Sequence, residues 1–183
     1  MMKKILLIVA AVLVASGSLV SCASVEWSAS RIDSEANTAL QVFRQDITGA
    51  QLFLDQAAGY LVFPRVIKVG VGVGAETGEG VLRVGGQSAD YYRTSSGSIG
   101  FQAGAQAKSV VIAFMTEQSL RQFRNSSGWK VGIDGSIALI DVGIGKTIDT
   151  DNIRDPVIGF IFGSRGLMYN LTLEGSKYSR LHK

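Results

Sequence analysis

The sequence has little of the side-chain chemistry on which most enzymes and metal proteins depend. It contains one cysteine, one histidine and two prolines among 183 residues. A disulfide scaffold and a structural zinc site are excluded, because each needs several cysteine or histidine side chains. The only imidazole is His182, close to the end of the sequence, where chains are usually poorly ordered, so a Ser-His-Asp triad is not expected. We therefore expect no catalysis, no metal and no cofactor.

Charged residues are also scarce. They make up 18% of the chain, against about 25% in soluble domains. Lys and Arg exceed Asp and Glu by only three, so a nucleic-acid partner is not expected. The hydrophobic fraction of 46% excludes a disordered chain, and the length indicates one domain or at most two.

The first 21 residues have the pattern of an export signal. Two lysines precede an apolar run over residues 5–15, which is too short to span a bilayer as a mature helix. Residues 19–22, Leu-Val-Ser-Cys, then resemble the lipobox of bacterial lipoproteins, in which the cysteine thiol receives a diacylglycerol and becomes the first residue. We predict a lipoprotein signal peptide over residues 1–21 and acylation, with fatty acids such as palmitate, at Cys22. An anchor helix or an ordinary secretory signal is the alternative.

The composition around the processing site supports this prediction. Cys22 is the only cysteine, so it has no disulfide partner, and an exported free thiol needs an explanation. Processing removes two lysines and leaves sixteen basic against fifteen acidic residues, a net charge of +1. By analogy with bacterial sorting rules, Ala23 in place of aspartate favours a lipid anchor at the periplasmic face of the outer membrane. Residues 22–30 form an acylated linker.

An apolar stripe with helical spacing follows the linker. Its spacings of three and four residues predict one long amphipathic helix over residues 31–58. Gly49 lies inside this helix and marks a kink or a close contact. The stripe is suited either to packing on a sheet or to insertion in a membrane. Its members are Ile32, Ala36, Leu40, Phe43, Ile47, Ala50, Leu54 and Ala57.

The rest of the chain alternates between strand patterns and glycine-rich segments. Valine alternates with glycine over residues 66–74, so one strand face carries valine and the other is nearly bare. Glycine weakens a strand unless the sheet bends sharply or a neighbour approaches closely, and a small barrel requires both. Further strand patterns occur at 60–64, 80–84, 98–104, 110–115, 130–142, 157–162 and 167–173, with one short helix that Thr116 can cap.

These patterns together predict an α+β fold. The long N-terminal amphipathic helix would pack on a Gly-rich, mostly antiparallel, barrel-like β-sheet. A transmembrane barrel is a weaker alternative, because aromatic residues make up only 8% of the chain and form no paired girdles.

Four sequence blocks, in order along the chain, resemble the SYLF domain family. The first contains residues 61–70, 72–74 and 78–80, and the others are residues 97–106, 128–136 and 166–176. The resemblance implies a SYLF-like lipid-binding domain over residues 31–183. In eukaryotic relatives such domains bind phosphoinositides and accompany actin-regulating proteins.

Two cations lie beside an apolar strand directly after the predicted helix. Arg65 and Lys68 are suited to anionic headgroups, because cations next to apolar surface favour the face of a bilayer. We predict that both bind lipid headgroups, of anionic phospholipid or a phosphoinositide-type lipid. A structural or partner-binding envelope lipoprotein, with no lipid ligand beyond its own anchor, is the second hypothesis, and an unrecognised hydrolase is the third.

Overall fold

The computed structural model describes residues 26–141, 155–166, 173 and 175–183. The predicted signal peptide, Cys22 and most of the predicted strand over residues 167–173 lie outside these residues. Within them, no helix has the length and apolar character needed to cross a membrane.

Two helices precede the sheet, so the prediction of one long helix over residues 31–58 is wrong. Helix α1 spans Ala29–Asp46 and helix α2 spans Ala50–Gln56. Gly49 lies between them with a φ of 87°, a left-handed conformation that glycine adopts freely and that interrupts helical geometry. Gly49, for which the sequence predicted a kink or a close contact, therefore separates two helices.

The apolar stripe of both helices packs on the sheet. The ring of Phe43 lies with its centroid 5.2 Å from that of Phe160 and 5.1 Å from that of Phe162. Phe53 on α2 contacts Phe160 at 4.8 Å. The stripe is thus part of the core and does not face a membrane; its fully buried members include Ile32, Ala36, Leu40, Ile47, Ala50 and Leu54.

A curled, half-barrel sheet forms the body of the domain. Its strands are β1 Gly59–Val84, β2 Gln87–Phe114, β3 Trp129–Lys130, β4 Ala138–Asp141, β5 Val157–Gly166 and β6 Lys177–Leu181. The path through the sheet is β3-β6-β2-β5-β4, with β1 also paired to β2. The pairs are antiparallel apart from β4 with β5, so the described part of the chain confirms an α+β fold with a mostly antiparallel sheet.

Strands β1 and β2 form one long hairpin that folds back on itself. Halfway along β1, Gly72 has a φ of 71°. A Cβ added to Gly70 would lie only 2.5 Å from Gly74 Cα, so the strand reverses its direction at this point. We call this place the hairpin corner.

Glycines also line the contact between the two halves of β1. A Cβ on Gly78 would lie 2.6 Å from Arg65 O, and one on Gly80 would lie 2.3 Å from Val62 O. The bare strand face that the sequence predicted therefore serves a sharp bend and a close approach, as expected for a barrel-like sheet.

A short helix, α3 (Glu117–Asn125), connects β2 to β3. Thr116 caps it, since Ser119 N–H donates to Thr116 Oγ1 at 3.1 Å, which confirms the predicted cap. The predicted strand over residues 130–142 is interrupted, because Gly132 takes a φ of 86° in a turn between β3 and β4.

Candidate functional site

Some arginines form ion pairs within the fold, and others are available to bind a ligand. Arg83 pairs with Asp33 at 3.2 Å and Arg93 pairs with Glu79 at 2.6 Å. Arg124 and Arg180 both pair with Asp90. By contrast, Arg31, Arg65 and Arg165 form no ion pair with any carboxylate in the described part of the chain. Their guanidinium groups are free to meet an external anion.

Two of these arginines line one cavity of about 500 Å³, which we call the arginine groove. The groove lies where the two halves of β1 meet, since Gly78 packs against the backbone of Arg65. The Trp27 ring and Ile67, which is 43% exposed, supply apolar surface. The full lining is Trp27, Arg31, Arg65, Ile67, Thr77, Gly78, Glu79 and Arg93.

The segment that leads into α1 is fixed on this groove. Trp27 N–H donates to Glu79 Oε2 at 3.1 Å, and Lys183 Nζ donates to the Trp27 carbonyl. The guanidinium of Arg31 stacks over the Trp27 ring, 4.6 Å from its centroid, as a cation–π contact. Trp27 is therefore a fixed wall of the groove.

Glu79 neutralises part of the positive charge in the groove. Burial alone would raise the pKa of Glu79, but hydrogen bonds from Arg93, from Trp27 N–H and from Lys183 hold this pKa below its usual value. The carboxylate is thus ionised at neutral pH and is bound to Arg93 and Lys183. The positive charge left for a ligand belongs to Arg31 and Arg65.

A patch of exposed aliphatic side chains continues from the groove to the hairpin corner. Val71 is 82% exposed and Ile99 is 89% exposed. They lie near Val73, which pairs with Ile99 across the hairpin, and Val69, on the same strand face as Ile67. We call Val69, Val71, Val73 and Ile99 the apolar corner. Large exposed apolar side chains grouped in one region of a surface are typical of an interaction site.

The structure separates the two residues that the sequence predicted as headgroup ligands. Arg65 is exposed and lines the arginine groove. Lys68 is only 5% exposed and shares the inward face of β1 with Val66. The two positions differ by three residues, and a strand places such positions on opposite faces. Lys68 is therefore not part of the groove.

The interior beneath Lys68 contains a buried ion pair that joins the two halves of the hairpin. Lys108 Nζ lies 3.1 Å from Glu76 Oε2, with 2% and 5% of the side chains exposed. Tyr178 is buried nearby, and burial, together with the Glu76 charge, raises its pKa. We interpret these groups as part of the fold, because they lie inside the folded hairpin.

Sequence reasoning missed most of the groove. Trp27, Arg31, Glu79 and Arg93 come from separate elements, and no local pattern brings them together. Only Arg65 had a signal, its position next to an apolar strand. The described residues contain no group of three or more His, Cys, Asp or Glu that could hold a metal ion.

Comparison with known proteins supports one family. No curated protein matches the chain. Residues 95–182 match the family model Ysc84, described as Las17-binding protein actin regulator. This match covers just under half of the chain and contains three of the four blocks noted in the sequence, whereas the residues that line the arginine groove precede it. Residues 95–182 are thus similar to the SYLF family that the Ysc84 model represents.

Proposed function

We propose that this protein is a non-catalytic envelope lipoprotein whose SYLF domain binds anionic phospholipid at a membrane surface. The observation that carries the proposal is the arginine groove, directly beside the apolar corner, with two guanidinium groups that pair with no carboxylate of the described residues. The family, which is linked to lipid binding and to actin regulation, supports the lipid part.

The groove contains the groups that bind the phosphate of a lipid headgroup. A guanidinium is planar and always charged, and it donates two parallel hydrogen bonds to a phosphate. Arg31 and Arg65 would bind the phosphate, while Trp27 and Ile67 would contact the first apolar groups of the lipid. Arg93 is already bound to Glu79 and would position the wall of the groove.

The apolar corner would supply the hydrophobic part of binding. Membrane affinity of a surface-bound protein grows with the apolar area that it buries and with its attraction to anionic lipids. Val71, Val73 and Ile99 would enter the boundary between headgroups and acyl chains.

The predicted anchor would hold the groove close to the bilayer. Cys22 lies five residues before Trp27, and a fully extended chain of that length reaches about 18 Å. Because Trp27 is fixed on the groove, acyl chains on Cys22 would keep the groove near the headgroups. We place the protein at the periplasmic face of the outer membrane on the sequence of its predicted signal.

The actin regulation named in the family description is not part of this proposal. A protein exported through a lipoprotein signal meets no actin filaments. The alternative is a protein that is tethered by its anchor and binds a protein partner through the same apolar corner.

Flotation of the chain beginning at residue 23 with vesicles tests the proposal. We expect it to float with vesicles of phosphatidylcholine and phosphatidylglycerol, and to float less as salt is added, because salt screens the guanidinium groups. Arg31→Gln and Arg65→Gln should each weaken binding about fivefold, since one cation near an anionic surface contributes about 1 kcal/mol.

Arg121→Gln is the matched control. Arg121 lies on α3, is 67% exposed and lies at the long distance of 3.9 Å from Glu117. This variant should bind as the parent does. A parent chain that stays with the soluble fraction on anionic vesicles at low salt would exclude the proposal, and a protein recovered by crosslinking at Ile99 would then favour the alternative.

A further inference from the structure

A second cavity lies on the other side of Arg65. It has a volume of about 280 Å³, and its walls come from α1, from β1 and β2 and from β5. Val42, which is 36% exposed, and buried Phe162 supply apolar surface. We call it the second groove.

The second groove also contains an unpaired arginine. Arg165 lines it and is exposed, and its guanidinium pairs with no carboxylate in the described part of the chain. Lys108 reaches the wall as well, but its ammonium is bound to Glu76. Glu35 is the one carboxylate among the described lining residues, and it offsets only part of the positive charge.

Arg65 lines both cavities, so three of the described arginines without an ion pair follow one another across them; a fourth, Arg44, donates to Gln51 instead. Arg31 and Arg65 border the arginine groove, and Arg65 and Arg165 border the second groove. Elsewhere the structure pairs arginines such as Arg83, Arg93, Arg124 and Arg180 with carboxylates. This surface therefore concentrates positive charge that forms no ion pair with the carboxylates of residues 26–141, 155–166, 173 and 175–183.

We propose that the second groove is a second phosphate subsite, and that the two grooves together bind a lipid with two phosphate groups joined by a short linker. The inference rests on the proposed function, since the first phosphate occupies the arginine groove. The shared guanidinium of Arg65 would lie between the two phosphates, with Arg31 and Arg165 on the outer sides. Val42 and Phe162 would face the apolar part beside the second phosphate.

A lipid of this class should bind more tightly than one with a single phosphate, because its two phosphates are covalently linked. Once one phosphate is bound, the second binds as an intramolecular step at a high effective concentration. A lipid with one phosphate has no such gain. Selectivity should therefore appear between vesicles that carry the same total charge.

The test compares two vesicle compositions on the chain beginning at residue 23. One contains cardiolipin, the diphosphatidyl lipid, and the other contains phosphatidylglycerol at twice the mole fraction, so that the charge is equal. We expect the parent chain to bind the cardiolipin vesicles about tenfold more tightly. Arg165→Gln should remove this preference and weaken binding to phosphatidylglycerol vesicles by no more than about fivefold, the effect of one surface cation, whereas Arg65→Gln should weaken binding to both.

The outcomes separate the two proposals. Equal binding of the parent to both compositions overturns the second subsite and leaves the proposed function in place, as does a cardiolipin preference that persists in Arg165→Gln. Binding to neither composition overturns both. Arg121→Gln is again the control for loss of one exposed arginine, and circular dichroism verifies that each variant is folded.

Discussion

At the scale of the single residue, the missing side chain of Gly80 keeps the two halves of β1 in contact. An added Cβ would lie 2.3 Å from Val62 O and 2.6 Å from Phe63 Cδ1. We expect Gly80→Ala to lower the free energy of unfolding by about 3 kcal/mol, because an overpacked site must shift its backbone. Gly97→Ala, whose Cβ would meet no atom within 4 Å, should change it by less than about 0.5 kcal/mol. Urea unfolding of both variants measures the difference, and equal midpoints would contradict the contact.

A second prediction for a single residue concerns how the contribution of Glu79 to folding stability changes with pH. Its folded pKa lies below the usual 4.5, so the unfolded chain binds a proton at a higher pH than the folded chain does. The stability that Glu79 contributes is therefore complete above about pH 4.5 and is lost as the pH falls through the folded pKa.

The matching experiment measures unfolding midpoints over a pH series. Glu79→Gln should be less stable than the parent at neutral pH, and the difference should narrow as the solution becomes acidic. Glu117→Gln serves as a control, because Glu117 is 69% exposed and its ion pair with Arg121 is long, at 3.9 Å. A difference between Glu79→Gln and parent that is constant from neutral to acidic pH would contradict the role of this carboxylate.

At the scale of the element, the break between α1 and α2 depends on the left-handed backbone of Gly49. An L-residue in this conformation costs about 1–2 kcal/mol, and asparagine tolerates it better than alanine. We expect Gly49→Ala to lower the free energy of unfolding by about that amount and Gly49→Asn to lower it less. Denaturant unfolding distinguishes the two. A stability gain in Gly49→Ala would mean that the helices fuse, as the sequence alone predicted.

The elements that could be predicted are those with local causes. The apolar stripe and the Thr116 cap depend on residues a few positions apart, and the structure confirms both. The helix break could not be located, because a glycine inside a helix costs only about 1 kcal/mol and does not by itself show whether the helix bends or ends. Strand β1 also continues through Thr77 and Gly78, and Gly78 serves a contact with Arg65 that no local pattern indicates.

The candidate site was predictable only in part. The strand pattern indicates Arg65. Positions 65 and 68 are an odd number of residues apart, so a strand places them on opposite faces, and Lys68 lies in the interior. Trp27, Arg31 and Arg93 join Arg65 only because the hairpin folds at Gly72 and because Glu79 holds the segment before α1. Contacts of this range depend on tertiary register, which no local pattern encodes.

At the scale of the whole molecule, anchor and domain would act as two membrane signals. A single acyl chain binds a membrane reversibly, and two chains already anchor stably, so the domain would add to an anchor that is stable by itself. Acyl chains at Cys22 would be the first signal, and the arginine groove with the apolar corner would be the second. Trp27 is held on the groove and lies five residues after Cys22, so an anchor at Cys22 would stay close to the groove.

Replacement of Cys22 separates these two signals. We expect Cys22→Ser to lose metabolic palmitate label, because a hydroxyl does not replace the thiol that receives the lipid, whereas Ser24→Ala should keep it. Unlabelled Cys22→Ser protein should stay partly with membranes at low salt, through the domain, and leave them at high salt, since only the electrostatic signal is screened. Adding Arg31→Gln and Arg65→Gln should release it at low salt as well. Label that persists in Cys22→Ser would contradict the anchor, and release at low salt without the arginine changes would mean that the domain contributes no membrane affinity.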